Sequence, residues 1–255
     1  MSWASKRRGM YLGAIFLFFA VIFGTPLALW LYEPPSCFDG KRNQKETAID
    51  KGGPCQLLDE RYLTPHAILW SRSFQVRGGE RGAVAYIENP NSEAGVQKVA
   101  YRFRIYDERN ILVAVREGTT FIMPGGLTPV FEGAIDTGNR TVARTYFEFT
   151  DTLVWKHMKD ATEALTVKDK QIYDTTTSPR LSAVIKNESV AEITNTSFVA
   201  VVFDTAGNAF AASETLLPRI AAGAERDIVF TWPEHFRFTV GRIDILPLLP
   251  PAFFR

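Results

Sequence analysis

The sequence predicts a mainly β protein with an N-terminal transmembrane α-helix followed by two tandem antiparallel β-sandwiches. Three observations predict it. An apolar run without a single charge, Met10 to Tyr32, follows Lys6, Arg7 and Arg8. Short alternating apolar segments, broken by Asn, Asp, Gly and Pro, fill the chain beyond residue 60. One order of segments and turns then recurs about 98 positions further on.

A helix through Met10–Tyr32 rises roughly 34 Å at about 1.5 Å per residue, enough to cross the hydrocarbon layer of a bilayer. The expected layout is a cytoplasmic N-terminus (1–8), a spanning helix (9–32), a cysteine-bounded juxtamembrane segment (33–60) and two sandwiches (61–160 and 161–255). The cations precede the run and the first later charge is Glu33. Positive charge is retained in the cytoplasm, so everything after Glu33 is expected outside it. Trp30 and Tyr32 suit the outer headgroup layer. A cleaved signal peptide is the competing reading. Its apolar part usually spans about 7 to 15 residues and ends at small residues, whereas Ala28 is followed by Leu29, Trp30 and Leu31.

Composition narrows the function classes. The net charge is +1 over 255 residues, with lysines and arginines scattered, so no basic field points to nucleic acid. The 19 Phe, 8 Tyr and 5 Trp, among many Val, Ile and Thr, are the side chains of pleated, half-buried surfaces.

The predicted strands follow in order. Ala83–Glu88 runs into Asn89-Pro90-Asn91, and Val99–Tyr106 runs into Asp107-Glu108-Arg109-Asn110. Ile111–Val115, Thr119–Met123, Pro129–Ile135 and Thr145–Phe149 complete the first set. Tyr101, Phe103 and Ile105 alternate with Arg102, Arg104 and Tyr106, giving one apolar and one wet face. In the second set Ser182–Lys186 runs into Asn187, Phe198–Phe203 into Asp204, and Ile228–Phe230 answers Pro129–Phe131. Asn89 and Asn187 lie 98 positions apart, and Asp107 and Asp204 lie 97 apart. A unit of about that size is one immunoglobulin-like sandwich. Asp169–Ser178 reads as a polar loop, and Ala161–Leu165 as a helical turn or hinge.

Phe103-Arg104-Ile105-Tyr106-Asp107 resembles the F-x-L-Y-D motif of the bacterial FxLYD domain family, with Ile in place of Leu. Ala200–Asp204 is similar but keeps only the final aromatic-Asp pair. The motif is physically a core strand ending in an Asp that bonds its own turn. The resemblance implies an extracytoplasmic, often tethered binding or scaffolding module, and it carries over no active site.

Cys37 and Cys55 are the only cysteines. An oxidising exterior favours pairing them, and two free thiols are the alternative. The segment between them resembles the C-x-D-G-x-x-N-x-x-E-x-x-x-D-C-G-G-x-C modules of bacterial surface proteins. Lys51 stands where that module has its middle cysteine, which leaves Cys37 and Cys55 to bond each other. Asp39, Asn43, Glu46 and Asp50 are hard oxygen donors, and calcium takes six to eight such oxygens. They form a candidate calcium site, against the alternative of a solvated spacer in which Asp and Asn make turns.

No nucleophile elbow, zinc-binding helix motif, Walker loop or dinucleotide glycine pattern occurs. His66, His157 and His235 are far apart in sequence and suit surface or core positions better than a metal site. Trp70, Trp155 and Trp232 are expected in cores or between domains. The apolar tail Leu246–Arg255 is expected to pack back on its own domain. Asn139, Asn187 and Asn195 begin glycosylation sequons. The sequence therefore reads as a membrane-anchored, non-enzymatic interaction or scaffold protein of a bacterial cell envelope. It is held by the bilayer through residues 10–32 and meets an envelope or surface protein partner. The alternative is an extracytoplasmic ligand-binding sensor or enzyme subunit with its site between the sandwiches.

Overall fold

The computed structural model describes residues 3–32, 36–138, 140–159 and 162–249. Glu33, Asn139, the boundary expected at 160–161 and the tail beyond Leu249 lie outside them. The chain divides into two compact units, Met1–Pro54 and Cys55–Arg255.

The first unit holds α1 (Trp3–Leu31), the one helix among the described residues long and apolar enough to cross a membrane. Large apolar side chains such as Phe16, Phe23 and Trp30 are exposed along it. A helix that is apolar all round, with no polar stripe, suits hydrocarbon rather than water. Pro26 lies inside α1; the amide bond it removes is a loss that membrane helices tolerate by local adjustment.

Among the described residues the second unit has thirteen strands. The first seven are β1 (Ala67–Arg77), β2 (Glu80–Glu88), β3 (Ala94–Tyr106), β4 (Leu112–Ile122), β5 (Leu127–Asp136), β6 (Arg144–Phe149) and β7 (Trp155–His157). They form a β1-β2-β5 sheet facing a β4-β3-β6 sheet, with β7 also on β3. The next six are β8 (Leu165–Tyr173), β9 (Arg180–Asn187), β10 (Ile193–Asp204), β11 (Ala209–Ile220), β12 (Glu225–Thr231) and β13 (Val240–Leu248). They form a β12-β9-β8 sheet and a β11-β10-β13 sheet. Every pairing is antiparallel. The second set repeats the first strand for strand, β1 to β6 answering β8 to β13.

The repeat extends to individual hydrogen bonds. Asn89 and Asn187, both 0% exposed, each end the second strand of their sandwich. Asn89 Nδ2 donates to the carbonyls of Ala94 and Met123, and its Oδ1 accepts from the Asn91 amide. Asn187 Nδ2 donates to the carbonyls of Ala191, Ile220 and Ala221, and its Oδ1 accepts from the Ser189 amide. The aspartates match in the same way. Asp107 Oδ1 accepts from the amides of Arg109 and Ile111, and Asp204 Oδ1 from those of Ala206 and Asn208. The Asn208 amide, ahead of the Ala206 amide, holds the Asp204 carboxyl below its usual pKa. Its contribution to folding is present above the unfolded pKa and fades as pH falls through the folded one.

Two expectations are corrected. Ile111–Val115 and Thr119–Met123 are not two strands, because β4 runs unbroken through Glu117 and Gly118. The polar stretch from Asp169 begins as strand, since β8 reaches Tyr173 along the wet edge of its sheet. The described start of the apolar tail lies back on its own domain, with Leu246, Pro247 and Leu248 paired to β10. A short 3-10 turn, Thr162–Ala164, stands where the sequence suggested a turn or hinge.

The cores explain a pattern that alternation alone misses. Gly82–Ile87 of β2 and Phe198–Phe203 of β10 are buried at every position. Ala83, Ala85 and Ile87 point into the first sandwich with Phe103 and Ile105. Phe198, Ala200 and Val202 point into the second with Leu181, Ala183 and Ile185. The opposite faces meet each other: Val84 and Tyr86 pack with Val199, Val201 and Phe203 in a third core. The β1-β2-β5 sheet thus stacks on the β11-β10-β13 sheet, and four sheets lie in one continuous stack. Strands buried on both faces read as unbroken apolar runs.

Candidate functional site

An open cleft of about 700 Å³ lies where the two sandwiches meet, within the size range of small-molecule sites. Its lining comes from Arg81 of β2 and four stretches: Ser71–Val76 of β1, Val142–Tyr146 leading into β6, Ala209–Ala211 at the start of β11, and the segment after β12 from Trp232 to Phe238. β1 and β11 are edge strands of the two stacked sheets, so their outer sides stay open where a sandwich interior would be filled.

One part of the lining is aromatic. Trp232 is buried and donates its indole N–H to the Ala212 carbonyl at 3.0 Å. Phe236 packs on it edge-on at 5.1 Å, Phe210 on Phe236 at 5.2 Å, and Phe238 on Phe210 at 5.5 Å. Each ring is held by the next, and Phe238 remains 55% exposed.

The other part is cationic. Arg72, Arg81, Arg144 and Arg237 line the cleft, with Glu234 the single carboxylate among the described residues that line it. Their hydrogen bonds go to neutral acceptors. Arg72 donates to the Ala209 carbonyl and Asn208 Oδ1, Arg81 to the Ser73 carbonyl and Oγ, Arg144 to Asn110 Oδ1, and Arg237 to Gln75 Oε1. No ion pair is described for any of the four among the described residues, although Arg102, Arg104 and Arg219 each have one. Burial, with the Arg237 charge second, lowers the Arg81 pKa. A half-buried cation facing another cation carries a desolvation penalty that an anion would relieve.

The calcium candidates Asp39, Asn43, Glu46 and Asp50 lie in the first unit. Asp39 accepts from the amides of Ser36 and Lys41 and from Asn43 Nδ2. Glu46 Oε2 accepts from the amides of Asn43 and Asp50, and the Asp50 carboxylate from the Gly40 amide. These carboxylates tie turns together through N–H donors, the Ser36 amide leading in lowering the Asp39 pKa. Asn43 Oδ1 is buried without a described partner. Cys37 and Cys55 are disulfide-bonded. Reducing that bond, or Cys37→Ser, should release about 3 kcal/mol of loop constraint. The readout is trypsin cleavage at Arg42 and Lys45, expected to quicken while the thermal transition of the sandwiches stays in place.

The histidines and tryptophans scatter. His66 lies against Phe149 and Trp155 at 5.9 and 5.8 Å, and burial lowers its pKa. His157 pairs with Ala94 in the sheet, and His235 lines the cleft. Trp155 fills the first core and Trp232 the second, while Trp70 stacks on Tyr86 at 4.3 Å between the sandwiches. Sequence reasoning missed the four arginines because they come from positions spread between 72 and 237; only the doubled, stacked architecture brings them together.

No family model matches the chain, and no curated protein does. Among solved structures it is similar to red sea bream transglutaminase, with 7% identity over 74% of this chain and 32% of that one and a TM-score of 0.23. It is also similar to Bacteroides uniformis β-glucuronidase, with 12% identity over 68% of this chain and 22% of that one and a TM-score of 0.19. The chain spans about a third or less of these proteins, and neither likeness bears on fold or function.

Proposed function

We propose that this chain is a membrane-anchored, non-enzymatic binding protein of a bacterial cell envelope, with its N-terminus cytoplasmic and both sandwiches outside. Its ligand seats in the cleft between the sandwiches. The cleft carries this reading: a preformed concavity combining an aromatic wall with four arginines for which no ion pair is described among the described residues is arranged for a ligand. The one-sided cations Lys6, Arg7 and Arg8, the disulfide and the likeness to FxLYD modules support the location. A second reading, contact with an envelope or surface protein, is favoured by the outer face of β3, where Arg102, Arg104, Glu117 and Glu148 form a solvated ion-pair network. Tethering beside the bilayer would raise the effective concentration for either partner.

Ala143, exposed at the cleft, provides the test. In intact spheroplasts an Ala143→Cys variant should react with a membrane-impermeant maleimide without lysis, and more slowly than the same purified protein because the native ligand shields it. Labelling only after lysis removes the topology. Equal rates in spheroplasts and in the purified chain remove the ligand.

A further inference from the structure

Resting on the cleft as a ligand site, we infer that its ligand is a small anion, a carboxylate or a phosphate, carried on a flat apolar ring. The ring lies against Phe210, Phe236 and Phe238 while Arg81 and Arg237 take the charge. Charge sets the first half of this assignment. Four arginines against Glu234 leave the cleft strongly positive in a chain whose net charge is only +1. Each guanidinium is restrained by a neutral acceptor, and a planar fork so held matches a carboxylate or phosphate in two-point contact. Some arginines elsewhere are neutralised in place, Arg102 by Glu117 at 2.6 Å and Arg219 by Glu192 at 2.5 Å, while others such as Arg116 bond only a carbonyl. What sets the cleft arginines apart is that four of them line one concavity.

The aromatic series sets the second half. Phe210, Phe236 and Phe238 do not vanish into the second core as Phe198 and Phe230 do; they stay partly or largely open at the cleft. Rings fixed edge-to-face by their neighbours offer area at little entropic cost, and a flat partner completes the stack. The lining comes from both sandwiches. Arg72, Arg81 and Arg144 belong to the first, while the aromatic residues and Arg237 belong to the second. The ligand therefore bridges both, and its binding is coupled to their stacking.

Calorimetry on the full chain in zwitterionic lipid nanodiscs tests this with 1-naphthoate, 1-naphthyl phosphate and neutral 1-naphthamide. At least one anion should bind, at least tenfold more tightly than the amide, and more weakly as salt rises. Which anion binds better tells carboxylate from phosphate. Arg81→Gln and Arg237→Gln should each weaken the anion roughly ten- to hundredfold, as expected for a lost charge-assisted hydrogen bond. Arg226→Gln, an exposed arginine on β12, should change nothing. Arg237 is exposed in a connecting segment, so its variant reports even where Arg81→Gln disturbs folding. Equal binding of amide and anions overturns the charge assignment and leaves the cleft as a site. Anion binding indifferent to both arginine variants overturns it as well. No binding of any probe at millimolar concentration overturns the cleft reading itself.

Discussion

Val84→Arg should part the two sandwiches while leaving each one folded. Val84 is fully buried in the core between β2 and β10, and its neighbours across the sheet are Arg72 and Phe131, neither of which carries a negative charge. A guanidinium there is stranded without a counter-ion, at a cost of about 3–5 kcal/mol. The residues that fill the first sandwich, Ala83, Ala85 and Ile87, point the other way and stay in place. Denaturant unfolding of the wild-type second unit should follow one cooperative transition, and the variant should show two. A single transition at an unchanged midpoint would mean that the stacking contributes nothing.

The second large effect belongs to the buried asparagines. Asn89→Ala should cost about 3 kcal/mol, because it orphans two carbonyls, those of Ala94 and Met123, bonded at 2.7 and 2.8 Å. Asn187→Ala should cost a similar amount, since the carbonyls of Ile220 and Ala221 lose their donor at 3.1 Å. Each side chain closes a corner at the end of the second strand of a sandwich, where it satisfies loop carbonyls that have to find partners away from water. Shifts in the urea midpoint check both, and Asn→Ser, which keeps one polar atom, should recover part of the loss. A midpoint shift below about 0.5 kcal/mol for either alanine variant would assign the corner to other bonds.

Much of this was legible before any coordinates. The α1 helix, the strands around Phe103 and Phe198, and the repeat marked by Asn89/Asn187 and Asp107/Asp204 all follow from local chemistry that a few residues decide. The aspartates fold their own turns, so their role needs no distant partner. Other elements were hidden for identifiable reasons. β8 is an edge strand whose second half, Asp169–Tyr173, is polar and exposed along most of its length, so its patterning is set by water rather than by a core, and it looked like loop. β1 escaped notice because Trp70 and Phe74 are claimed by the core between sandwiches while most of its other residues stay partly open. The double burial of β2 and β10 was written in their unbroken apolar runs, but the identity of the covering surface was not. The cleft was least legible, since its arginines are brought together by the stacking of two sheets rather than by any spacing along the chain.

The manner of that stacking has a consequence for behaviour at high concentration. The β1-β2-β5 sheet of one copy meets the β11-β10-β13 sheet of the other, which corresponds to its own β4-β3-β6 sheet. Such a back-to-front contact has no two-fold axis to close it and, repeated between molecules, would grow an open fibre. At the positions of Val199 and Val201, however, β3 carries Arg102 and Arg104, engaged by Glu117 and Glu148. A second molecule adding there would have to bury those charges against Val84 and Tyr86. The internal duplication thus supplies its own chain terminator.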